Sequence, residues 1–371
     1  MVHQRDSKIE FLRIIAMFLI ILGHIIYYTN WHYNAMTVSH QVSIQSLWIG
    51  AKLGVNLFFL ITGYFLIRQT ALKSFKISHL WITTLFYSWM ILMLTVIFYP
   101  HLIKLGALIK SVFPILGGYY WFISTYIFLI LLAPILNKVL AALSQKEYCI
   151  LLIVGFGYLF ILATFFTNKT TGSNNTLITA IYLYCCGGYI RLYRHNSHHL
   201  QAHYLIHLII LLIMLVFLIG SIYVLDLLIK NGFIKANNHR FFYFADGNSP
   251  FELIGALELF LVFLQLPSFH NHWINKIATT TLPMYLLHDN YLSHYLIINQ
   301  WIHATKYQYT NKVQFYCLFW AIVLVFILAA IDLIVQFLFG KGINRLAQVS
   351  SQQMRRFVRY FYNLINKLMS S

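Results

Sequence analysis

Acidic residues are scarce in this sequence: 9 Asp and Glu stand among 371 residues, against 26 Lys and Arg, and charged residues of both signs make up only 9%. A soluble domain carries about 25% charged residues. With 60% hydrophobic and 18% aromatic residues, the chain has too little polar surface to cover a globule in water. The net charge of +17 is scattered over short segments rather than gathered on one folded domain, which argues against nucleic acid as a partner. Cysteine is sparse as well. Cys149, Cys185, Cys186 and Cys317 lie in apolar runs without CxxC spacing, so neither a disulfide frame nor a zinc site is indicated. No period of 20 to 50 residues repeats, and the halves lack the internal similarity that many transporters carry. The longest expected outer loop is Lys230 to Pro250, so no soluble catalytic domain is inserted. The first apolar run contains Arg13 and His24 and lacks a small-residue cleavage site, which excludes a removed signal peptide.

What is present is a series of apolar runs of the roughly 17 to 25 residues that cross about 30 Å of hydrocarbon. Ten are expected: Ile9 to Tyr28, Leu47 to Ile67, His79 to Tyr99, Tyr119 to Leu136, Tyr148 to Phe166, Thr176 to Leu192, Leu205 to Ile229, Phe251 to Leu266, Ile277 to Ile298 and Phe315 to Phe339. Their length and uniform apolarity predict helices rather than barrel strands. The predicted fold is therefore an all-α polytopic membrane bundle over 1–340 with a basic tail over 341–371. Cytoplasmic loops retain positive charge. Placing both termini inside puts sixteen of the 26 basic residues on the inner side, including Arg5, Arg68, Lys73 and Lys76, against nine outside. Tyr33 to Val42 and Lys230 to Pro250 then face outward, and Ser371 inward. Arg355, Arg356 and Arg359 interleave with Phe357, Tyr360 and Phe361, a pattern expected to lie on anionic lipid of the inner leaflet.

Ionisable groups at membrane depth are costly and mark cavities or partners. Arg13 and His24 are eleven residues apart, which returns them to within about 20° on one helix face, offset by about 16 Å. His288, Asp289 and Glu258 are expected near mid-depth, with Glu258 as a carboxylate partner for His24 or His288. Asp332 and Glu10 are candidates to neutralise Arg13, and Lys52 reads as an interfacial lysine. His199, His203 and His207 fall at i, i+4 and i+8, but no acidic or Cys ligand is nearby in sequence, so no metal is expected.

The run "EFLRIIAMFLIILGH" ending at His24 resembles the first helix of the membrane acyltransferase 3 family, whose mark is an Arg, ten residues, then a His. "GVNLFFLITGYFL" (Gly54 to Leu66) is similar to its second helix, with Thr62 where Ser is common. "YWFISTYIFLILLAPIL" (Tyr120 to Leu136) and "LPMYLLH" (Leu282 to His288) resemble its Trp-Phe helix and its late Tyr-Leu-x-His element. The four occur in the family's order across nearly the whole chain. Tyr64, Trp121 and Tyr285 match its aromatic positions, with packing as their default role.

The resemblance implies ten helices, an acyl-CoA donor on the cytoplasmic side, and O-acylation of a surface glycan or its lipid-linked precursor at a bacterial plasma membrane. About 31 residues follow the last span, so the likeness is to members without an appended hydrolase-like domain. Acyl transfer needs a base for the alcohol proton and donors for the oxyanion. His24 suits the first, Arg13 the donor phosphates, and His288 the thioester carbonyl. Acetyl-CoA is the expected donor, with no metal. A transporter or flippase for a glycan intermediate, and a non-catalytic subunit of a polysaccharide synthase, are the competing readings.

Overall fold

The computed structural model describes residues 6–166, 176–235 and 240–369; Arg5, Ser371 and positions 236–239 of the expected outer loop lie outside them. Every regular element among the described residues is helical. The long helices are α1 (Ser7–Tyr28), α3 (Ile49–Leu66), α4 (Ser74–Phe98), α6 (Trp121–Ala141), α9 (Thr176–Tyr193), α10 (Tyr204–Lys230), α11 (Pro250–Gln265) and α15 (Val313–Met369). Shorter pieces are α2 (Val38–Gln45), α5 (Leu105–Val112), α7 (Gln145–Phe156), α8 (Ala163–Phe165), α12 (His272–Ala278), α13 (Thr281–His288) and α14 (Tyr291–His294). Among the described residues, seven helical segments are long and apolar enough to cross a membrane. The three other expected spans, α9, α11 and the broken α12–α14 stretch, pack into the same bundle, so the fold is the all-α polytopic one.

Local chemistry accounts for where several helices begin. Asp6 caps α1 by accepting from the Lys8 amide at 3.2 Å, and Ser249 precedes Pro250 at the start of α11. At α7, Ser144 and Glu147 form a capping box: the Ser144 amide donates to Glu147 at 2.7 Å, and the Glu147 amide to Ser144 at 3.3 Å.

Helix α1 is central, touching α3, α11, α12, α13 and α15, and buries Leu12, Ile21 and Ile25 completely. The α3–α9 pair packs most closely, because a side chain on Gly63 would overlap the Tyr184 carbonyl and one on Gly187 the Leu60 carbonyl. Such small-residue contacts let backbones meet where lipid supplies no hydrophobic drive. On the far side α15 runs along α4, joined by Tyr87 with Asp332, by Phe86 on Phe339, and by Ser74 with Ser351 at 3.0 Å. Outward residues such as Leu212, Val216, Phe326 and Phe337 are apolar, as a lipid-facing surface requires.

Three spans differ from expectation. The tenth does not end at Phe339: α15 continues unbroken to Met369, 57 residues, and stays beside α4 through Ser351. The fifth contains a π-helical turn, Gly157–Leu162, between α7 and α8. The ninth is discontinuous: α13 stops at His288, α14 restarts at Tyr291, and a π-helical segment, Tyr295–Ile302, follows. At that break Asn290 caps α14 by accepting from the Leu292 amide at 2.9 Å, and donates to the Tyr120 hydroxyl at 2.6 Å. Tyr120 in turn donates to the Leu286 carbonyl at 3.0 Å, so backbone freed by the break is satisfied inside the protein.

Candidate active site

The break in the ninth span sets the chemistry, because it places His288 and Asp289 at a helix end facing His24 of α1. Contact with His24 puts both near the end of the bundle where α1 finishes, rather than at mid-depth. His24 Nδ1 lies 3.0 Å from His288 Nε2 and 3.4 Å from Asp289 Oδ1. His288 Nδ1 lies 2.7 Å from the Met284 carbonyl oxygen, which can only accept. That nitrogen therefore carries a proton, and Nε2 of the neutral ring presents a lone pair to His24. His24 must then donate through Nδ1, which leaves its Nε2 bare. The arrangement fixes the tautomer that a general base needs. Tyr28, one turn beyond His24, donates to Asp289 Oδ1 at 3.1 Å and stacks on His294 with ring centroids 4.2 Å apart. The His24 side chain is 16% exposed, so the dyad is nearly sealed but reachable.

His288, read either as a group that polarises the thioester carbonyl or as one that joins helices, has its Nε2 engaged by His24 Nδ1. Glu258, expected to orient either histidine, is paired with His207 between α10 and α11. The carboxylate beside His24 is Asp289. The side chain of His199 lies outside what the structure describes, while His203 caps α10.

At the other end of α1 lies a cavity of about 720 Å³. Its lining includes the polar or basic Arg13, Lys76, His79, Lys341 and Asn344, together with Met17, Phe58, Thr62, Phe122, Tyr126 and Tyr285. Ligand pockets commonly span about 300 to 1,000 Å³. Arg13 is held by Glu10, with Nη1 3.3 and 3.2 Å from its two carboxylate oxygens. Asp332 also lines the cavity but pairs with Tyr87 and accepts from Gln336 at 2.6 Å, rather than meeting Arg13. Between cavity and dyad stands an aromatic block: Phe122 lies 5.5 Å from Tyr285 and 5.1 Å from Phe59, and Tyr285 is 6.2 Å from His288, centroid to centroid.

Lys52, read as an interfacial lysine, has defined partners. Its ammonium is 3.7 Å from Asp246 and 5.9 Å from the ring centroids of both Trp48 and Trp121. Tyr64 lies at the far end of α3, where Arg191 covers its ring at 4.9 Å and donates to its hydroxyl at 3.1 Å, and it does not reach the dyad.

Lys76 and Lys341 were read only as inner-side charges, and Tyr28, Tyr120 and Asn290 carried no functional expectation. Tyr28 had a usable signal, since four residues after His24 is the same helix face. Tyr120 and Asn290 had none, because their role depends on the break.

His24 with His288 lies toward one end of α1 and the cavity lined by Arg13 toward the other, with the aromatic block between them. No curated protein and no solved structure matches this chain. A family model described as an acyltransferase domain matches residues 6–335, nearly the whole length, and the chain belongs to this acyltransferase 3 family.

Proposed function

We propose that the protein is a membrane O-acyltransferase that accepts an acyl group, acetyl, from acyl-CoA held in the Arg13 cavity and passes it to a sugar hydroxyl arriving at His24. The observation that carries the reading is the forced tautomer: a bare imidazole nitrogen at the closed end of a bundle whose opposite end is a cationic cavity. Arg13, Lys76 and Lys341 suit the phosphates of coenzyme A, while Phe58, Phe122 and Tyr126 suit the pantetheine arm. With the cavity mouth cytoplasmic, as the distribution of Lys and Arg indicates, the acceptor is a surface polysaccharide or its lipid-linked precursor, in a bacterial plasma membrane.

In this scheme the sugar oxygen attacks the thioester carbonyl carbon as His24 Nε2 takes its proton. The tetrahedral intermediate collapses, the C–S bond breaks, and the coenzyme thiolate recovers the proton from Nε2. Positive charge on the intermediate imidazolium is shared through Nδ1 with His288 and Asp289. Side-chain motion in the aromatic block must admit the thioester, since the cavity stops short of the dyad.

Replacing His24 with Ala tests the scheme. Transfer from acetyl-CoA to surface glycan should fall by about 10²- to 10⁴-fold, the range for a lost general base, with folded protein still in the membrane. Full transfer by a well-folded H24A protein would dismiss His24 as the base.

A further inference from the structure

Beside the dyad lies a group of residues that the reaction scheme leaves unused. Gly23, next to His24, packs directly on Ala51, next to Lys52, which puts Lys52 at the level of the base. Lys52 reaches between Trp48 and Trp121 and pairs with Asp246. Trp121 is 38% exposed and Tyr27, stacked on Trp48 at 5.1 Å, is 42% exposed. The segment carrying Asp246 folds over this wall, with Phe242 4.8 Å from Trp48 and the position a Gly247 Cβ would take 3.5 Å from Lys52 Cδ.

Below it sits Glu252, fully buried, with both carboxylate oxygens lacking a hydrogen-bond partner. Gly255, one turn along α11, faces Leu53 of α3, so Glu252 lies toward the turn of α3 that bears Lys52, and it interacts electrostatically with Lys52 and Asp246. A buried acidic group without partners is costly and awaits a donor.

We infer that Trp48, Lys52, Trp121, Asp246 and Glu252 form the acceptor subsite, built for a neutral sugar ring rather than an acidic one. This rests on the acyl-transfer reading and narrows its acceptor. Indole faces take the C–H face of a pyranose. Asp246 and Glu252 accept from hydroxyls, and Lys52 donates to one. Lys52 is already met by Asp246, so a uronate or phosphate on the same ring would find no free cation and would meet the Asp246 carboxylate instead.

The test uses purified full-length protein and two probes, methyl glucoside and methyl glucuronoside, followed by tryptophan fluorescence, with acetyl-CoA binding titrated separately on the same preparations. The glucoside should bind and the glucuronoside should bind at least about tenfold more weakly. Trp121→Leu and Asp246→Asn should each weaken glucoside binding about tenfold, and Trp121→Tyr should restore most of it, in protein that still elutes as a folded species on size exclusion. Tighter binding of the glucuronoside, or glucoside binding indifferent to Trp121→Leu and Asp246→Asn, overturns the subsite. Absence of acetyl-CoA binding to the wild type overturns the acyl-transfer reading instead, and is recognised separately because sugar binding is read without the donor.

Discussion

Asp289 and Glu258 are both buried carboxylates with a histidine neighbour, yet only Asp289 touches His24. Sequence order could not separate them, because distance along the chain says nothing about which helix end faces α1. Asp289→Asn keeps the shape but removes the charge that steadies the imidazolium, and should lower the rate of transfer with little change in donor affinity. Glu258→Gln should instead be read in stability, as a lower melting temperature with kinetics preserved in the folded fraction. Measuring turnover and melting on the same detergent-purified variants distinguishes the two. Arg13 offers a second separation. Its planar guanidinium suits phosphate in a way an ammonium only partly copies, so Arg13→Lys should retain part of the donor affinity and Arg13→Gln very little, as read by acyl-CoA titration. Glu10, bonded to Arg13, makes the rival outcome definite: unchanged donor affinity in a destabilised Arg13→Gln protein would leave Arg13 as a packing group only.

Among the helices, the α3–α9 contact is the least forgiving. Gly187→Leu must push α9 off the Leu60 carbonyl, and should sharply reduce folded protein in the membrane by fluorescence-detected size exclusion, whereas the same change at Gly220, where nothing crowds an added Cβ, should be tolerated. Hydrophobic length made most spans legible from sequence: α1, α9, α10 and α11 begin and end within two residues of expectation. The Arg13–His24 register on α1 was legible too, since helical periodicity alone brings both to one face. The ninth span was not. Thr279, Thr280, Asp289 and Asn290 interrupt it only mildly in composition, and the break is held by Tyr120, which lies 170 positions from Asn290. The end of the tenth helix escaped as well, because the basic residues after Phe339 read as the end of the apolar span while the helix runs on: Ser351 is still bonded to Ser74.

Taken whole, the bundle has the Arg13-lined cavity toward one end of α1 and the His24–His288 pair toward the other, with Phe58, Phe122, Tyr126 and Tyr285 crowded between. The competing idea of a carrier would need that block to open wide enough for an entire glycan. Transfer needs it to admit one thioester arm. Phe122→Ala should therefore leave acyl-CoA binding at the mouth intact while letting protons leak through reconstituted vesicles, read with an internal pH dye; tight vesicles would show that the barrier lies elsewhere. The separation of the two ends also carries an electrical consequence. In the proposed reaction an acyl group leaves the donor side as a proton from the acceptor hydroxyl arrives to complete the coenzyme thiol, so the exchange is electroneutral. One elementary charge crossing the membrane would feel about 2.3 kcal/mol per 100 mV, but this reaction moves none in net terms, and acylation in vesicles should proceed at the same rate whether or not a membrane voltage is imposed.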